Sequence, residues 1–420
     1  MQSGDIEIMA PVGSYASLRA AIQGGADAVY FGAGHLNMRS KSSQNFTLDD
    51  LEEIVSISKE NNVRTYLTVN TIIYDNELKE MHQIIEAASK NGISAIIATD
   101  FSAIQYARQL GMEVHISTQS NITNIEEVKF FSQWADVMVT ARELNLNQVA
   151  AITKAIKEQE TRGPSGELVQ IELFAHGALC MAISGKCYLS LHNLNESANR
   201  GACLQPCRRA YQVKDKEKDI ELEVDNEYIM SPKDLKTVHF LNKILDAGVR
   251  VLKIEGRGRS PEYVKKVTEV YREAVNSWFS GDFTRENIER WNEKLKSVYN
   301  RGFWNGYYLG QRLGEWTEEY GSQATRKKLY VGKVTNYYSK IGVIELKMET
   351  NELTVGDNYM IIGSTTGIYE DRAKELRVDL KPVNKTVKGD YVSIPVKKTI
   401  RRGDKLYKII EVQKQKDFQS

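Results

Sequence analysis

Cysteine is scarce in this chain, with four residues in 420, and histidine is almost as rare at six. No run of about 18 apolar residues occurs, which excludes a conventional membrane-spanning helix. The opening MQSGDIEIMAPVG has no basic stretch followed by an apolar one. No secretory leader is therefore expected, and a reducing cytoplasm is the expected setting. Neither H-E-x-x-H nor G-x-S-x-G appears, so the signatures of zinc metalloproteases and of α/β-hydrolase serine nucleophiles are missing.

What is present is an ordinary globular composition. Hydrophobic residues make up 41%, enough for a large core and two or three domains. The net charge of +1 conceals an asymmetry: residues 325–420 hold 20 Lys+Arg against 12 Asp+Glu, whereas residues 1–324 hold 36 against 43. The basic C-terminal part suits a polyanion or simply a basic solvated surface.

Eight β-rich runs, at 6–11, 28–32, 64–70, 95–100, 113–119, 136–143, 170–176 and 250–256, alternate with amphipathic patterns such as SYASLRAAIQGG and NELKEMHQIIEAASKNG. The terminal glycines of these patterns favour helix ends. The alternation predicts an α/β fold, a TIM-like (β/α)8 barrel over 1–281, with a doubly wound open sheet as the fallback. A cysteine-bearing insertion is expected at 177–230, including a hairpin over 210–230, followed by a helical and aromatic linker over 282–324. Short alternating runs with Gly-Asp turns then predict a small antiparallel β-barrel over 325–420.

All four thiols, Cys180, Cys187, Cys203 and Cys207, fall within 28 residues, a clustering that chance would give roughly one time in a thousand. The spacing C-x6-C-x15-C-x3-C lacks the C-x2-C knuckles of common zinc modules. In a reducing compartment such a cluster points to metal or redox chemistry before disulfides. On spacing alone, a zinc ion and an iron–sulfur cluster stand equal. A hydrolytic Cys180–His176 pair would leave three thiols unexplained.

Reactive groups of such barrels stand at the C-terminal ends of the strands. That criterion selects Asn70, Gln119, Arg142, Glu143, His176, Lys253, Glu255 and Arg257. Period-two spacing puts Glu172 with His176 on one face, and likewise His115 with Ser117 and Gln119, and Lys253 with Glu255 and Arg257. Such ladders suit the barrel mouth, or a salt-bridge network that only braces the barrel. Gly32 and Gly34 lack a full dinucleotide fingerprint and read as turn glycines.

The run Glu172, Phe174, Gly177, Ala178, Leu179, Cys180, Gly185, Cys187, Leu189, Ser190 resembles at every position the signature of peptidase family U32, the collagenase-like peptidases. APVGS at 10–14, AVYFG at 28–32, ARELNL at 141–146 and KIEGRGRSPEYV at 253–264 resemble further blocks of that family. The β-rich end resembles its small C-terminal barrel, similar in turn to the second domain of translation elongation factors. Nearly the whole chain is covered.

The layout resembles the tRNA-hydroxylating members. That resemblance implies prephenate-dependent conversion of wobble uridine to 5-hydroxyuridine, with the tRNA anticodon region as partner and prephenate as cosubstrate. It also implies a [4Fe-4S] cluster on Cys180, Cys187, Cys203 and Cys207. On this reading Arg39, Arg142 and Arg257 suit the two carboxylates of prephenate. Asn70 and Gln119 complete the substrate site, and His176, Glu143, Glu255 and Lys253 are the candidates for proton transfer. The basic C-terminal module would grip phosphates, while Phe303, Trp304 and Tyr307 either stack on an unpaired base or pack between domains. The family's historical label implies a peptidase instead, and a third reading is a non-catalytic RNA-binding accessory protein.

Overall fold

A computed structural model describes residues 2–41, 45–211, 230–311, 314–317 and 321–412. The hairpin expected over 210–230 rests on residues 212–229, which lie outside the described residues. Among these, no helix is long and apolar enough to cross a membrane.

The strand-helix alternation closes into a ring. Strands β1 (Glu7–Pro11), β2 (Ala28–Phe31), β3 (Arg64–Val69), β4 (Ala95–Ala98), β5 (Glu113–Ile116), β6 (Val137–Val139) and β7 (Gln170–Gly177) pair in sequence order, all parallel. After a short β8 (Asp234–Lys236), β9 (Val251–Ile254) pairs parallel with both β7 and β1. The structure is thus the (β/α)8 barrel that the sequence predicts. Except for β7, its strands are shorter than their β-rich runs, because the chain leaves the sheet early to build loops at the mouth. The run at 113–119 stops at Ile116, and Thr118–Ser120 forms a 3-10 turn.

Ten helices are described: α1 (Tyr15–Gln23), α2 (Leu51–Glu60), α3 (Leu78–Asn91), α4 (Phe101–Gln109), α5 (Ile125–Phe131), α6 (Leu146–Glu158), α7 (Leu189–Leu194), α8 (Leu241–Asp246), α9 (Pro261–Phe279) and α10 (Arg285–Lys296). Their ends follow local chemistry. Ser14 and Asn124 accept the free N–H groups at the starts of α1 and α5, and α3 stops at Gly92 in the left-handed region, φ +76°. The main core lies between the strands and the helix layer, from Ile8 and Leu18 to Val264 and Trp291.

Inside the barrel, the apolar Met9, Tyr30, Tyr66 and Ile97 share the space with buried Glu172, His115 and Lys253. Lys253 Nζ donates to Glu172 Oε1 at 2.7 Å. A charge pair this deep survives only because each member compensates the other.

The segment 282–324 is built into the barrel wall. Its helix α10 packs on α9, and β10 (Phe303–Trp304) runs parallel to β8.

The remainder comprises β11 (Arg326–Tyr338), β12 (Val343–Met348), β13 (Leu353–Thr354), β14 (Asn358–Gly363), β15 (Gly367–Arg372), β16 (Leu376–Val378), β17 (Lys381–Val383), β18 (Lys385–Thr386), β19 (Tyr391–Pro395) and β20 (Lys405–Glu411). Eight of these form one antiparallel sheet in the order β15-β14-β20-β11-β12-β19-β16-β17, and β13 pairs with β18. This is the small, all-antiparallel C-terminal β unit that the sequence predicts. The sheet encloses its own core, including Val331, Ile344, Ile361 and Leu406. It docks on α1, where Gln23 Nε2 donates to Thr366 O at 2.9 Å and Gln23 Oε1 accepts from Ile368 N at 3.0 Å.

Replacing Lys253 by Met strands a buried carboxylate at Glu172 and should cost about 3–5 kcal/mol of stability. The double change Glu172→Leu/Lys253→Met should recover most of that loss. A thermal-melting double-mutant cycle measures both.

Candidate functional site

At the end of β7 the backbone turns across the mouth of the barrel. Gly177, at φ +112°, makes the turn, and a Cβ there would lie 2.5 Å from Glu255 O. The cysteine segment that follows is fastened on both sides. On the β5–β6 side, Ser184 Oγ accepts from Arg142 Nη2 at 2.6 Å, and Asn121 Nδ2 donates to Ser184 O at 3.2 Å. On the β2–β3 side, Lys41 N donates to Gly201 O, Ile72 N donates to Asn199 O, and Arg200 grips Glu77 with two nitrogens. Arg208 then returns to the barrel, donating to Leu179 O at 2.6 Å and Pro232 O at 2.7 Å.

Beneath this strap lies a cavity of about 160 Å³ whose lining includes all four cysteines with Arg39, Asn70, Gln119, Arg142, Lys253, Glu255 and Arg257. Two of the residues expected at the mouth are elsewhere. Glu143 is exposed on the turn after Arg142 and does not line the cavity. His176 points the other way because β7 carries one extra residue, Ala175, between its pairings Phe174 with Lys253 and His176 with Ile254. Such a bulge reverses the alternation of side chains.

Glu172 and Phe174 therefore face inward, while His176 packs against Tyr263, Tyr271 and Phe303. Burial, aided by Lys236 and Arg259, drops its pKa to about 3. It is a neutral core histidine and no partner for Cys180. Gln119 does reach the cavity, from the 3-10 turn and not from a strand. The aromatics of 299–311 are packing residues: Trp304 is buried, Tyr307 meets its edge, and Tyr308 Oη donates to Phe174 O at 2.9 Å.

The charges in the cavity do not cancel. Glu255 Oε1 accepts from Arg39 Nη2 at 2.8 Å and Oε2 from Ala178 N at 3.3 Å. Burial would raise this carboxyl, but the guanidiniums of Arg39, Arg259 and Arg142 outweigh it and hold the group below the ordinary range. Arg257 is 7% exposed and, among the described residues, donates to the neutral Asn37 Oδ1 at 3.1 Å and Thr68 Oγ1 at 3.0 Å. Burial and the nearby Arg39 push it down to about 10. A Cβ at Gly32 would lie 2.7 Å from Arg257 Nη1, so this glycine makes room for the guanidinium.

Arg142 lies 4.8 Å over the Phe174 ring. Arg142, Arg208 and Arg257 form no ion pair among the described residues. Arg208, Asn37, Thr68 and Ser184 were not anticipated. Only Arg208 carried a signal, by following Cys207 directly.

All four thiols are free. Burial, then mutual proximity with Cys180 and Cys203, raises Cys187. Cys207 is pushed up to about 11 by burial, with Arg208 opposing. Among the described residues, no group of three or more His, Cys, Asp or Glu is arranged to hold a metal ion.

Architecture and site together define the class: a (β/α)8-barrel protein with a cysteine strap over the C-terminal ends of its strands. The model of peptidase family U32 matches residues 13–318, and the chain belongs to that family. It is 57% identical to a collagenase of Porphyromonas gingivalis over 97% of this chain and 99% of the relative. It is 30% identical to tRNA hydroxylation protein P1 of Bacillus subtilis over 85% of this chain and 83% of the relative. A third relative, the 23S rRNA 5-hydroxycytidine C2501 synthase of Escherichia coli, is 34% identical over 75% of this chain and 47% of its own length.

Because the folded pKa of His176 is near 3 against an ordinary 6.5, the stability it contributes is full above pH 6.5 and is lost as pH falls towards 3. His176→Phe should therefore flatten the decline in melting temperature between about pH 6.5 and 4. Parallel melts of the two proteins across that range check it.

Proposed function

We propose that this chain is an RNA-modifying enzyme that hydroxylates a pyrimidine, in the first instance the wobble uridine of tRNA, with a small dicarboxylate such as prephenate as cosubstrate. One observation carries the reading: four thiols and three arginines without carboxylate partners open onto the same cavity. The relatives named for tRNA and rRNA hydroxylation, each at least 30% identical, support it.

Cys180, Cys187, Cys203 and Cys207 would hold a [4Fe-4S] cluster, which supplies one-electron redox chemistry when bound. Four thiols border one cavity, a donor set that by residue type suits an iron–sulfur cluster or zinc, the alternative occupant. Burial and neighbouring thiols make the Cys187 and Cys207 thiolates costly, a cost that a cationic centre offsets.

Arg142 and Arg257 each offer a carboxylate a two-pronged hydrogen bond. Arg39 is engaged by Glu255 and so orients that carboxylate instead of binding substrate. Glu255, held ionised, is the proton acceptor of the cavity. Asn70, whose Nδ2 donates to Ser117 Oγ at 3.2 Å, and Gln119 supply neutral hydrogen-bonding groups for the base. The basic C-terminal module offers the phosphate backbone its charge.

A second reading, a peptidase, is favoured by the 57% identity to a protein named collagenase along nearly all of both chains. Its Cys180–His176 form lacks support, since His176 lies outside the cavity.

Mass spectrometry of tRNA nucleosides separates the two. A strain lacking the gene should lose 5-hydroxyuridine derivatives. The wild-type chain should restore them and Cys203→Ser should not, while Arg257→Gln should lower the product about 10- to 100-fold, the worth of one charge-assisted hydrogen bond. Unchanged nucleosides, together with collagen cleavage by the purified protein, would replace this reading with the second. Protein purified without oxygen should be brown, and a colourless protein containing zinc would overturn the cluster.

A further inference from the structure

The barrel interior holds a line of polar groups of which the hydroxylation reading uses only Lys253. His115, Glu172 and Lys253 stand on β5, β7 and β9, and all three are buried inside the barrel. Lys253 lines the cavity and donates to Glu172 Oε1 at 2.7 Å. On the far side of that carboxylate, Glu172 Oε2 faces His115 Nδ1 at 3.9 Å, and both atoms are buried without a hydrogen-bond partner. His115 Nε2 contacts Glu113 Oε1 at 2.9 Å. Glu113 opens β5 at the opposite rim, where it pairs with Arg64 and both side chains are partly exposed, 28% and 43%. The line therefore runs from the cavity to solvent at the other end of the barrel.

Here an acceptor and an imidazole nitrogen face each other unsatisfied, and one added proton at Nδ1 would join them.

We propose that His115, Glu172 and Lys253 share one proton, taken up through Glu113 at the N-terminal rim and delivered to the cavity by Lys253. Lys253 gives a proton to a basic atom in the cavity. His115, charged by uptake of one proton from the rim, gives its Nδ1 proton to Glu172 Oε2, and the neutral carboxyl turns to pass that proton to Lys253, so that each group ends as it began. One proton enters, one leaves, and no electrons move.

The surrounding groups tune the line without interrupting it. Tyr66 lies 4.6 Å from the His115 ring and donates to Glu7 Oε2, and Tyr30 lies under Lys253. Burial raises the Glu7 carboxyl. The delivery role rests on the reading that reaction takes place in this cavity, whereas the proton sharing does not.

Reductive methylation of Lys253 in the purified full-length protein, followed by peptide mass spectrometry across pH, tests the sharing. Coupled groups titrate together, so the pH profile of the rate at Lys253 should show a second inflection beside that of the lysine itself. His115→Gln should leave one inflection. Glu113→Gln, at the half-open rim, should move the lower inflection to lower pH and carries the test if the histidine variant fails to fold. A single inflection in the unaltered protein, an unaltered profile in Glu113→Gln, or no label at Lys253 would overturn the proposal. Unchanged tRNA nucleosides would sink the hydroxylation reading and leave this profile standing.

Discussion

The pairing of β7 with β9 is the contact on which the rest of the site depends. It closes the barrel, and its register sets Glu172 beside Lys253 in the interior. The extra residue at Ala175 then turns His176 out of the lumen and leaves Phe174 inside, under the Arg142 guanidinium. One residue further on, Gly177 passes so close to Glu255 that no side chain fits. Closure, charge placement and the launch of the cysteine segment are thus decided within eight residues of one strand.

The second organising factor is charge without a counter-charge. Proteins seldom bury a guanidinium on neutral partners alone, because desolvation is then uncompensated. Arg257 is such a case, and Gly32 shows that space was kept for it. Glu255 cannot relieve the imbalance, being engaged by Arg39. The mouth accordingly carries uncompensated positive charge suited to anionic material such as an organic acid, thiolates or phosphate.

Much of this was legible in the sequence. The alternation of β-rich and amphipathic segments gave the eight strands, because crossover helices must separate parallel neighbours. The crowding of cysteines between residues 180 and 207 foretold one shared location. Side-chain direction was less legible. Period-two reasoning placed His176 with Glu172, but a bulge changes parity without leaving a mark in residue types. Glu143 follows a three-residue strand and escapes to solvent, which its neighbour Arg142 does not. Asn37 and Thr68 carry no chemistry of their own and became part of the site only by proximity to Arg257.

The strap has a mechanical meaning as well. Its first limb, bearing Cys180 and Cys187, is tied to loops following β5 and β6; the limb leading to Cys203 and Cys207 is tied to loops following β2 and β3. Any centre gripped by all four sulfurs is consequently a rivet between opposite walls of the barrel. Seating such a centre would lock the roof, and losing it would let the two halves part along a seam.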